Sequence, residues 1–452
     1  MNIIIAGCGK IGSTLLRNLV AEGHNVTAID DNPAVIEELN NIYDVIGVCG
    51  NGTDCDTLAE AGVSEAELFV ATTDSDEKNM LACFLAKCMK AGHTIARIRN
   101  PDYNDESLGF MRQQLGLANS LNPERLTAEE LFNILKLPSA VKIETFSQRN
   151  FEMVELLLRE DSALLGMSLW QLRKKFPARY LIGCVMRGEE VIIPDGNFEL
   201  KAGDRIGLYA APHEVQKLLK MLGLLQKQAR SVMLLGASKI AYYLTQALLA
   251  SGNRVTVIDK NPARCAEFAE AMPKATVICG DGASQELLLE SGLAHTDAFV
   301  ALTGMDEENI LISIFAESQN VPKVICKANR PEMATLAQKM GLDSLVSPRD
   351  TVANILVRYA RALENSMGSS VETLYKVMDG KAEALEFFVR EDFSHTNIPL
   401  KDLKLKDNVL LTGILRSRKA IIPSGDDVLM AGDRVVVMTT GHRFQDLSDI
   451  LR

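Results

Sequence analysis

The sequence predicts an α/β protein with two doubly wound parallel-sheet domains, each followed by a small α+β domain, in tandem duplication. Two observations support this fold class. Short apolar runs alternate with amphipathic helical patterns, and the whole arrangement occurs twice in 452 residues. A chain of this length is too long for a single hydrophobic core. Its composition, 47% hydrophobic and 24% charged, is that of a globular protein.

The duplication is visible as matching segments in the two halves of the chain. VTAIDDNPA matches VTVIDKNPA, and VATTDSDEKNML matches VALTGMDEENIL. Farther along, VMRGEEVIIPDGNFELKAGDRI (185–206) matches ILRSRKAIIPSGDDVLMAGDRV (414–435). The similarity therefore extends through a two-domain module of about 225 residues.

The first part of each module has the pattern of a parallel sheet with helices on both faces. Helical patterns such as STLLRNLVAEG and MLACFLAKCMKAG separate the apolar runs. Strands buried on both faces have uninterrupted apolar sequences, which favours a parallel over an antiparallel sheet. In the first copy the predicted strands are residues 3–6, 25–29, 44–49, 68–72 and 94–98.

A connector and a smaller domain follow in each copy. Helical apolar spacing predicts connectors at 126–137 and 351–363, which either cross between the parallel-sheet domains or cap their own sheet. The remaining segments have short β-type runs, a Pro- and Gly-containing turn and a closing helix, which favours an antiparallel sheet. The predicted domains are residues 1–123, 140–225, 229–348 and 368–452.

The loop GCGKIG follows the first strand and opens a helix, which is the context of a Rossmann-like dinucleotide fingerprint. Gly7 permits the tight turn, Gly9 leaves the backbone open to a pyrophosphate, and Gly12 lets helix and strand pack closely. Asp30 ends the second strand, where its carboxylate can accept hydrogen bonds from ribose hydroxyls and would repel a 2′-phosphate. These residues predict NAD rather than NADP. The alternative is a Rossmann-like domain that binds nothing.

Four further residues follow predicted strands at the same edge of the sheet. Asn51 lies in CGNG after the third strand, near where a base would bind, and Thr73 and Asp74 end the fourth strand. Arg97 lies near the end of the fifth strand. A lone arginine there is more often a surface residue, but beside a phosphate crevice it can form a bidentate pair with a phosphate.

The second copy has an altered loop, GASKIA, at residues 236–241. Ser238 replaces the central glycine, so its side chain occupies space that a phosphate would need, and Ala241 replaces the third. Asp259 is retained, but Lys327 stands where the first copy has Arg97, and lysine lacks the bidentate fork. Two interpretations remain open: a second nucleotide site, or a copy kept for packing and symmetry.

Charge and cysteine content exclude several other classes of protein. The net charge of −11 argues against nucleic acid as the main partner, and no apolar run approaches the roughly 20 residues needed to span a bilayer. The nine cysteines form no CxxC pair and have no zinc-site spacing, so we nominate no metal ligand. We expect buried free thiols, for example at Cys49, Cys279 and Cys326.

Taken together, these motifs resemble the TrkA-type regulatory subunits of bacterial Trk potassium uptake systems, which consist of RCK domains. The resemblance rests on IIIAGCGKIG, TTDSDEKNM, ARIRNPDY and KAGDRI, with counterparts in both copies, and covers almost the whole chain as N-lobe, C-lobe, N-lobe and C-lobe. It implies a cytoplasmic protein, peripheral on the inner face of the cell membrane. It further implies a homo-oligomeric gating ring on a TrkH-type or TrkG-type channel, in which NAD(H), ATP or ADP controls potassium flux.

The resemblance also implies which residues contact the nucleotide. Cys8, between two glycines, departs from the small aliphatic residue that is commoner in this family, and we interpret it as a tolerated small side chain. In the second copy the implied residues are Gly236, Ala237, Ser238, Lys239, Ile240 and Asp259. In the first copy they are Gly7, Cys8, Gly9, Lys10, Ile11, Asp30, Thr73, Asp74 and Arg97.

The rival class is an NAD-dependent oxidoreductase. Hydride transfer requires a general acid or base near the nicotinamide and a substrate domain that excludes water. The chain has six histidines, none of which pairs with a carboxylate in an obvious motif. We therefore expect a regulatory protein rather than an enzyme. A nucleotide sensor with a different membrane partner is a third interpretation.

Overall fold

The computed structural model describes residues 1–101, 103, 105–146, 150–224, 229–366, 371–417, 419–444 and 446–452. The chain divides into two compact units. One unit consists of Met1–Glu129 and Val346–Ala360, and the other of Glu130–Leu345 and Arg361–Arg452. The predicted domain limits at 225 and 368 lie outside the described residues, and the domain limits as a whole stay a prediction.

The first N-lobe is a six-stranded parallel sheet in the order β3-β2-β1-β4-β5-β6. The strand order reverses beside β1, which opens a crevice at the carboxyl ends of β1 and β4. Its elements are β1 (Asn2–Ala6), α1 (Lys10–Ala21), β2 (Asn25–Asp30), α2 (Pro33–Ile42), β3 (Ile46–Cys49), α3 (Cys55–Glu60), β4 (Leu68–Ala71), α4 (Asp76–Cys88), β5 (His93–Arg97), α5 (Asp105–Leu115) and β6 (Asn119–Leu121).

The first connector, α6 (Pro123–Lys136), leads to the first C-lobe. This lobe is a five-stranded antiparallel sheet in the order β10-β9-β11-β8-β7 with two helices. Its elements are β7 (Lys142–Thr145), β8 (Glu152–Leu157), α7 (Leu169–Lys175), β9 (Tyr180–Arg187), β10 (Glu190–Ile192), β11 (Arg205–Ala210) and α8 (Pro212–Met221).

The second N-lobe repeats the first, with the sheet order β14-β13-β12-β15-β16-β17. The predicted duplication of a parallel-sheet domain is therefore confirmed. Its elements are β12 (Ser231–Leu235), α9 (Lys239–Ala250), β13 (Arg254–Asp259), α10 (Pro262–Ala271), β14 (Thr276–Cys279), α11 (Gln285–Glu290), β15 (Ala298–Ala301), α12 (Asp306–Ser318), β16 (Lys323–Lys327), α13 (Pro331–Lys339) and β17 (Leu345–Val346).

The second connector, α14 (Pro348–Ser366), precedes the second C-lobe. That lobe is again antiparallel, in the order β18-β19-β22-β20-β21, so the predicted α+β class of the small domains is confirmed as well. Its strands are β18 (Val371–Val377), β19 (Ala382–Phe388), β20 (Val409–Arg416), β21 (Lys419–Ile421) and β22 (Arg434–Thr439).

The two C-lobe sheets pack against each other through a shared aromatic core. Phe146 and Tyr209 come from the first C-lobe, and Tyr375 and Met438 come from the second. The rings of Phe146 and Tyr375 pack edge to face with their centroids 4.7 Å apart, and the Tyr209 hydroxyl donates to the Met438 sulfur at 3.0 Å. Aromatic pairs in this geometry add to the stabilisation that burial of apolar area provides.

The second connector crosses to the first N-lobe, which was one of its two predicted roles. Its first part, up to Ala360, belongs to the same compact unit as that lobe. Tyr359 packs edge-on against His93 at the start of β5, with ring centroids 6.5 Å apart. Arg17 of α1 and Asp350 of α14 form an ion pair at 4.0 Å.

Several local predictions need correction. The short strand β6 was not expected, and β3 begins at Ile46 rather than at residue 44. The closing helix of the second C-lobe is only a 3₁₀ turn, Leu447–Ile450. Its buried residues Leu447 and Ile450 are spaced by three, which places them on one face of a 3₁₀ turn.

The cysteine prediction is correct for Cys326, which is buried, but wrong for Cys49 and Cys279, which are exposed. Both exposed cysteines are the last residue of an edge strand, β3 or β14. Among the helices in the described ranges, none is long and apolar enough to cross a membrane.

Candidate functional site

The glycine loop of the first N-lobe lies at the carboxyl end of β1, as expected. Gly7 has a φ of +91°, and a Cβ added there would lie 2.6 Å from the Thr73 backbone nitrogen. A Cβ on Gly12 would lie 2.0 Å from the Gly7 carbonyl oxygen. A Cβ on Gly9, by contrast, would meet nothing within 4 Å. Gly7 and Gly12 are therefore required by packing, whereas Gly9 faces open space at the crevice.

Helix α1 begins within this loop, with Gly9 as its N-cap and no side chain to accept the first-turn N–H groups. These groups and the positive end of the helix dipole point into the crevice, which favours an anionic group there. Lys10, exposed, and Ile11, half-buried, are the first two residues of the helix.

Asp30 already holds the loop in place. Its Oδ2 accepts a hydrogen bond from the Cys8 backbone nitrogen at 2.7 Å, and its Oδ1 accepts one from the Asn32 nitrogen at 3.0 Å. Each carboxylate oxygen has a second lone pair. Asp30 can therefore brace the loop and still accept hydrogen bonds from ribose hydroxyls.

Cys8 lies beneath the loop, 2% exposed, with its Sγ near the carbonyl oxygens of Ile5 and Ile29 at 3.9 Å and 3.8 Å. Burial, followed by the neighbouring charge of Asp30, raises the pKa of this thiol to about 12. The side chain is a neutral packing group, and only its backbone nitrogen faces the site.

A buried asparagine that sequence analysis missed joins the ends of β4 and β5. Asn79, fully buried, accepts hydrogen bonds from the Thr73 backbone nitrogen at 2.8 Å and from its hydroxyl at 2.7 Å. Its Nδ2 donates to the Arg97 carbonyl oxygen at 2.9 Å. Thr73 and Arg97, both predicted site residues, are thereby held next to each other.

Arg97 is mostly buried and directed toward Thr73 and Glu124. Its Nη1 donates to the Thr73 carbonyl oxygen at 3.4 Å, and its Nη2 lies 3.8 Å from Glu124 Oε1. Burial lowers the pKa of Arg97, with Arg99 as the next cause, whereas Glu124 opposes the shift. Its Nε is buried without a hydrogen-bond partner among the described residues. The guanidinium therefore has donor capacity left for a phosphate.

Two predicted residues have local roles at the rim. The Asn51 side chain accepts from the Thr53 backbone nitrogen at 3.1 Å and shapes the turn after β3. The Asp74 carbonyl oxygen accepts from Arg99 Nη2 at 2.6 Å. Asp76, which was not predicted, accepts from the Arg99 and Asn100 nitrogens at 2.8 Å each and fixes the chain after β5.

The second N-lobe reproduces this design with local differences. Gly236 has a φ of +98°, and Asp259 accepts from the Ala237 and Asn261 nitrogens, both at 2.8 Å. Asn309 joins Thr303 to the Lys327 carbonyl oxygen at 3.0 Å, as Asn79 does in the first copy. The identical asparagine in DEKN and DEEN was the available sequence signal for this clamp.

Ser238 is the main departure in the second copy. As the N-cap of α9, its hydroxyl accepts a hydrogen bond from the Ala241 nitrogen at 3.3 Å. Lys239 is exposed and Ile240 is buried as the helix begins. One first-turn N–H that is available in α1 is therefore occupied in α9, which weakens the second helix terminus as an anion site.

The second N-lobe nevertheless has an open cleft of about 540 Å³ at the carboxyl ends of its strands. Gly236, Ser238, Asp259 and Thr303 line it together with the start of α10. This volume is in the range of cofactor and small-molecule sites. The combination of glycine loop, acidic strand end and cleft suits binding of a ribose and a diphosphate.

Family models match both halves of the chain. The TrkA-N domain matches residues 3–111 and 232–348, and the TrkA-C domain matches residues 153–223 and 396–452. The Trk system potassium uptake protein TrkA homolog 1 of Methanosarcina mazei is 30% identical over 447 residues, covering 97% of this chain and 97% of its own. The TrkA protein of Vibrio alginolyticus is 30% identical over 448 residues, covering 98% and 94%.

Among solved structures, a GsuK channel bound to NAD aligns with 97% of this chain and 77% of its own. Its TM-score is 0.62 and its sequence identity is 17%, so the likeness concerns the fold. The two pairs of domain matches and the full-length relatives agree with the duplicated lobes and their crevices. The chain therefore belongs to the TrkA family of Trk system potassium uptake proteins.

Proposed function

We propose that this chain is the nucleotide-binding regulatory subunit of a potassium uptake system, in which ligands in the N-lobes control potassium flux. The main support is that the two N-lobe sites share one arrangement. In each, an aspartate at the end of the second strand, Asp30 or Asp259, accepts the same two backbone hydrogen bonds and so braces the glycine loop. The full-length relatives, named as potassium uptake proteins, support the physiological setting.

NAD(H) is the proposed ligand, with ATP and ADP as competitors for the same crevice. In the first N-lobe the diphosphate lies on residues 7–12 and the α1 terminus, and Arg97 pairs with a phosphate. Asp30 receives the ribose hydroxyls, and Asn51 and Asp74 form the rim. The GsuK channel bound to NAD supports this choice by analogy of fold.

The second N-lobe binds the same class of ligand more weakly in this proposal. Its cleft is formed, and Asp259 and Gly236 are positioned as in the first copy. Two features reduce the affinity. The Ser238 hydroxyl already accepts the hydrogen bond of the Ala241 N–H in the first turn of α9. Lys327 offers a point charge where the first copy has the guanidinium fork of Arg97.

The proposed partner is a TrkH-type or TrkG-type channel on the inner face of the membrane, contacted by a ring of several N-lobes. A nucleotide can change channel opening only if it binds one conformation of the ring more tightly than another. The chain contributes two N-lobes to such a ring, so few copies complete it.

Calorimetry of the purified full chain with NADH, NAD, ADP and ATP tests the binding sites. We expect two classes of site per chain, with Asp30→Ala or Arg97→Ala abolishing the tighter class and Asp259→Ala the weaker. A single class that Asp30→Ala leaves unchanged contradicts the assignment.

Potassium uptake by cells that carry the same variants tests the regulatory role. We expect Asp30→Ala and Arg97→Ala to blunt the response of uptake to nucleotide while the protein remains folded by circular dichroism. Nucleotide binding together with turnover of NADH and a small metabolite would instead favour the oxidoreductase interpretation.

A further inference from the structure

Two cysteines lie on neighbouring elements next to the second cleft, one at the end of β14 and one in α10. Cys279 ends β14 and is exposed, whereas Cys265 lies in the first turns of α10 and is 6% exposed. The Cys265 Sγ donates to the Asp259 carbonyl oxygen at 3.2 Å and lies 4.0 Å from the carbonyl oxygen of Ile278. Cys279 directly follows Ile278 and pairs with Asp259 in the sheet register, so it lies beside both carbonyl groups that the Cys265 sulfur contacts.

This pair belongs to the second copy alone. By the alignment of VTAIDDNPAVI with VTVIDKNPARC, Ile36 stands in the first copy where the second has Cys265. Cys49 is the counterpart of Cys279, and it is likewise exposed at the end of its strand. Cys49 is therefore a matched control within the same chain. It is exposed at the equivalent strand end, but α2 has Ile36 rather than a second thiol.

We infer that Cys265 and Cys279 form a reversible disulfide, with a low-molecular-weight disulfide as oxidant, and that this bond weakens nucleotide binding in the second cleft. The bond itself follows from the thiol pair. Its effect on nucleotide binding rests on the proposed function.

The exchange is balanced in two steps. The Cys279 thiolate attacks one sulfur of the small disulfide, which forms a mixed disulfide and releases one thiolate. Cys265 then gives up its proton to solvent and attacks the Cys279 sulfur, which releases the second small thiol. Two protein thiols are oxidised, the small disulfide is reduced to two thiols, and reversal requires a thiol reductant.

The surroundings assign the order of the two steps. Cys279 is exposed and reaches the reagent first. Burial, followed by the neighbouring Cys279 thiol, raises the pKa of Cys265 to about 11, so it is protonated at neutral pH and reacts second. A solvent-accessible cysteine beside a resolving thiol is the arrangement of reversible thiol switches.

Closure of the bond acts directly on the cleft. A disulfide ties the start of α10 covalently to the end of β14, so the two elements can no longer move independently. Asn261, Pro262 and Arg264, at this start of α10, line the cleft, and Asp259 accepts from the Cys265 thiol. The bond therefore restrains the residues on which the ribose would bind.

Treatment of the full chain with glutathione disulfide, followed by non-reducing digestion and mass spectrometry, tests the bond. We expect a linked Cys265–Cys279 peptide in the wild type and in Cys49→Ser, and its loss in Cys265→Ser and Cys279→Ser. Because Cys279 is exposed, its serine variant leaves the core intact. A wild-type protein in which Cys279 carries only glutathione overturns the inference.

Calorimetry of the oxidised and reduced chain tests the consequence. We expect oxidation to weaken the lower-affinity site at least about fivefold, the low end of typical couplings between sites, and to leave the tighter site unchanged. Cys279→Ser should abolish this response. A linked peptide with unchanged nucleotide affinity overturns the regulatory part, whereas absence of any nucleotide binding in the reduced chain refutes the proposed function and leaves the disulfide standing.

Discussion

The glycines of the first loop have separate physical roles. Gly12 is required because a side chain would collide with the Gly7 carbonyl oxygen, and this holds with or without ligand. Gly9 has a φ of −65°, which alanine also adopts, and open space around its Cβ position. The fold therefore does not require glycine at this position, whereas the proposed phosphate contact would.

Paired alanine substitutions separate these roles. We expect Gly9→Ala to keep the thermal stability of the protein but to lower the affinity of the tighter site by about tenfold or more, equal to about 1.4 kcal/mol. Gly12→Ala should lower the free energy of unfolding by about 2 kcal/mol or more through overpacking. Thermal unfolding and calorimetry distinguish the two, and equal nucleotide affinity in Gly9→Ala and the wild type would count against the phosphate position.

Ser238 offers the converse experiment in the second copy. Ser238→Gly frees the Ala241 N–H and removes a side chain from the loop, at a helix-capping cost of only a few tenths of a kcal/mol. A hydrogen bond to a charged group contributes about 1.5 kcal/mol or more, so the affinity of the weaker site should rise about tenfold. Calorimetry measures the change, with Ser251→Gly, at the other end of α9, as a control. A lower affinity in Ser238→Gly would show that the hydroxyl contacts the ligand.

At the scale of elements, the asparagine clamp joins two parallel strands where the crevice opens. Asn79 and Asn309 are each fully buried at the first turns of α4 and α12. Each satisfies a threonine nitrogen at the end of one strand and a carbonyl oxygen at the end of the next. The clamp fixes the position of Arg97 or Lys327 relative to the glycine loop.

Removal of the clamp should loosen one N-lobe without affecting the other. Asn79→Ala leaves the Thr73 N–H and the Arg97 carbonyl oxygen unpaired in a buried place, which costs about 2–3 kcal/mol. We expect faster amide hydrogen exchange in β4 and β5 and weaker nucleotide binding at the tighter site. Asn309→Ala should produce the same change in β15 and β16 only, and uniform exchange rates in all variants would contradict the proposed role.

Sequence analysis succeeded where the pattern is local. Apolar runs marked β1, β2, β4 and β5, and the glycine loop was recognisable by its place between a strand and a helix. Asn79 was missed because a polar residue in the first turn of a helix looks solvent-exposed until its burial is known. The three-residue strand β6 was missed because its pairing with β5 depends on tertiary structure. The amphipathic pattern of a connector predicts that the helix packs against a lobe, but only the structure shows which lobe it is.

At the scale of the whole molecule, Lys323 ties the second N-lobe to the segment that follows the first connector. Its Nζ, at the start of β16, donates to the Ala140 carbonyl oxygen and to the Ser344 hydroxyl, both at 2.7 Å. Burial lowers the pKa of Lys323 from 10.5 to about 8, with Asp343, Arg159 and Glu317 as nearby charges.

The lowered pKa makes stability depend on pH. Between pH 8 and 10.5 the unfolded chain binds a proton at Lys323 that the folded chain lacks. This group's contribution to the free energy of unfolding therefore rises with pH in that window, by up to about 3 kcal/mol. Urea unfolding of wild type and Lys323→Met across the window should show the wild type gaining relative to the variant. A constant difference would place the pKa near its ordinary value.

The second connector packs on the first N-lobe, although it lies in the second half of the sequence. Val352 and Leu356 of α14 are each 1% exposed, and this part of the helix belongs to the compact unit of the first N-lobe. Division of the gene between residues 224 and 229 would therefore encode a first piece whose N-lobe lacks α14 and a second piece in which α14 exposes its apolar residues. The two pieces would have to be co-expressed to bury this apolar surface, and recombination could not exchange the two modules independently.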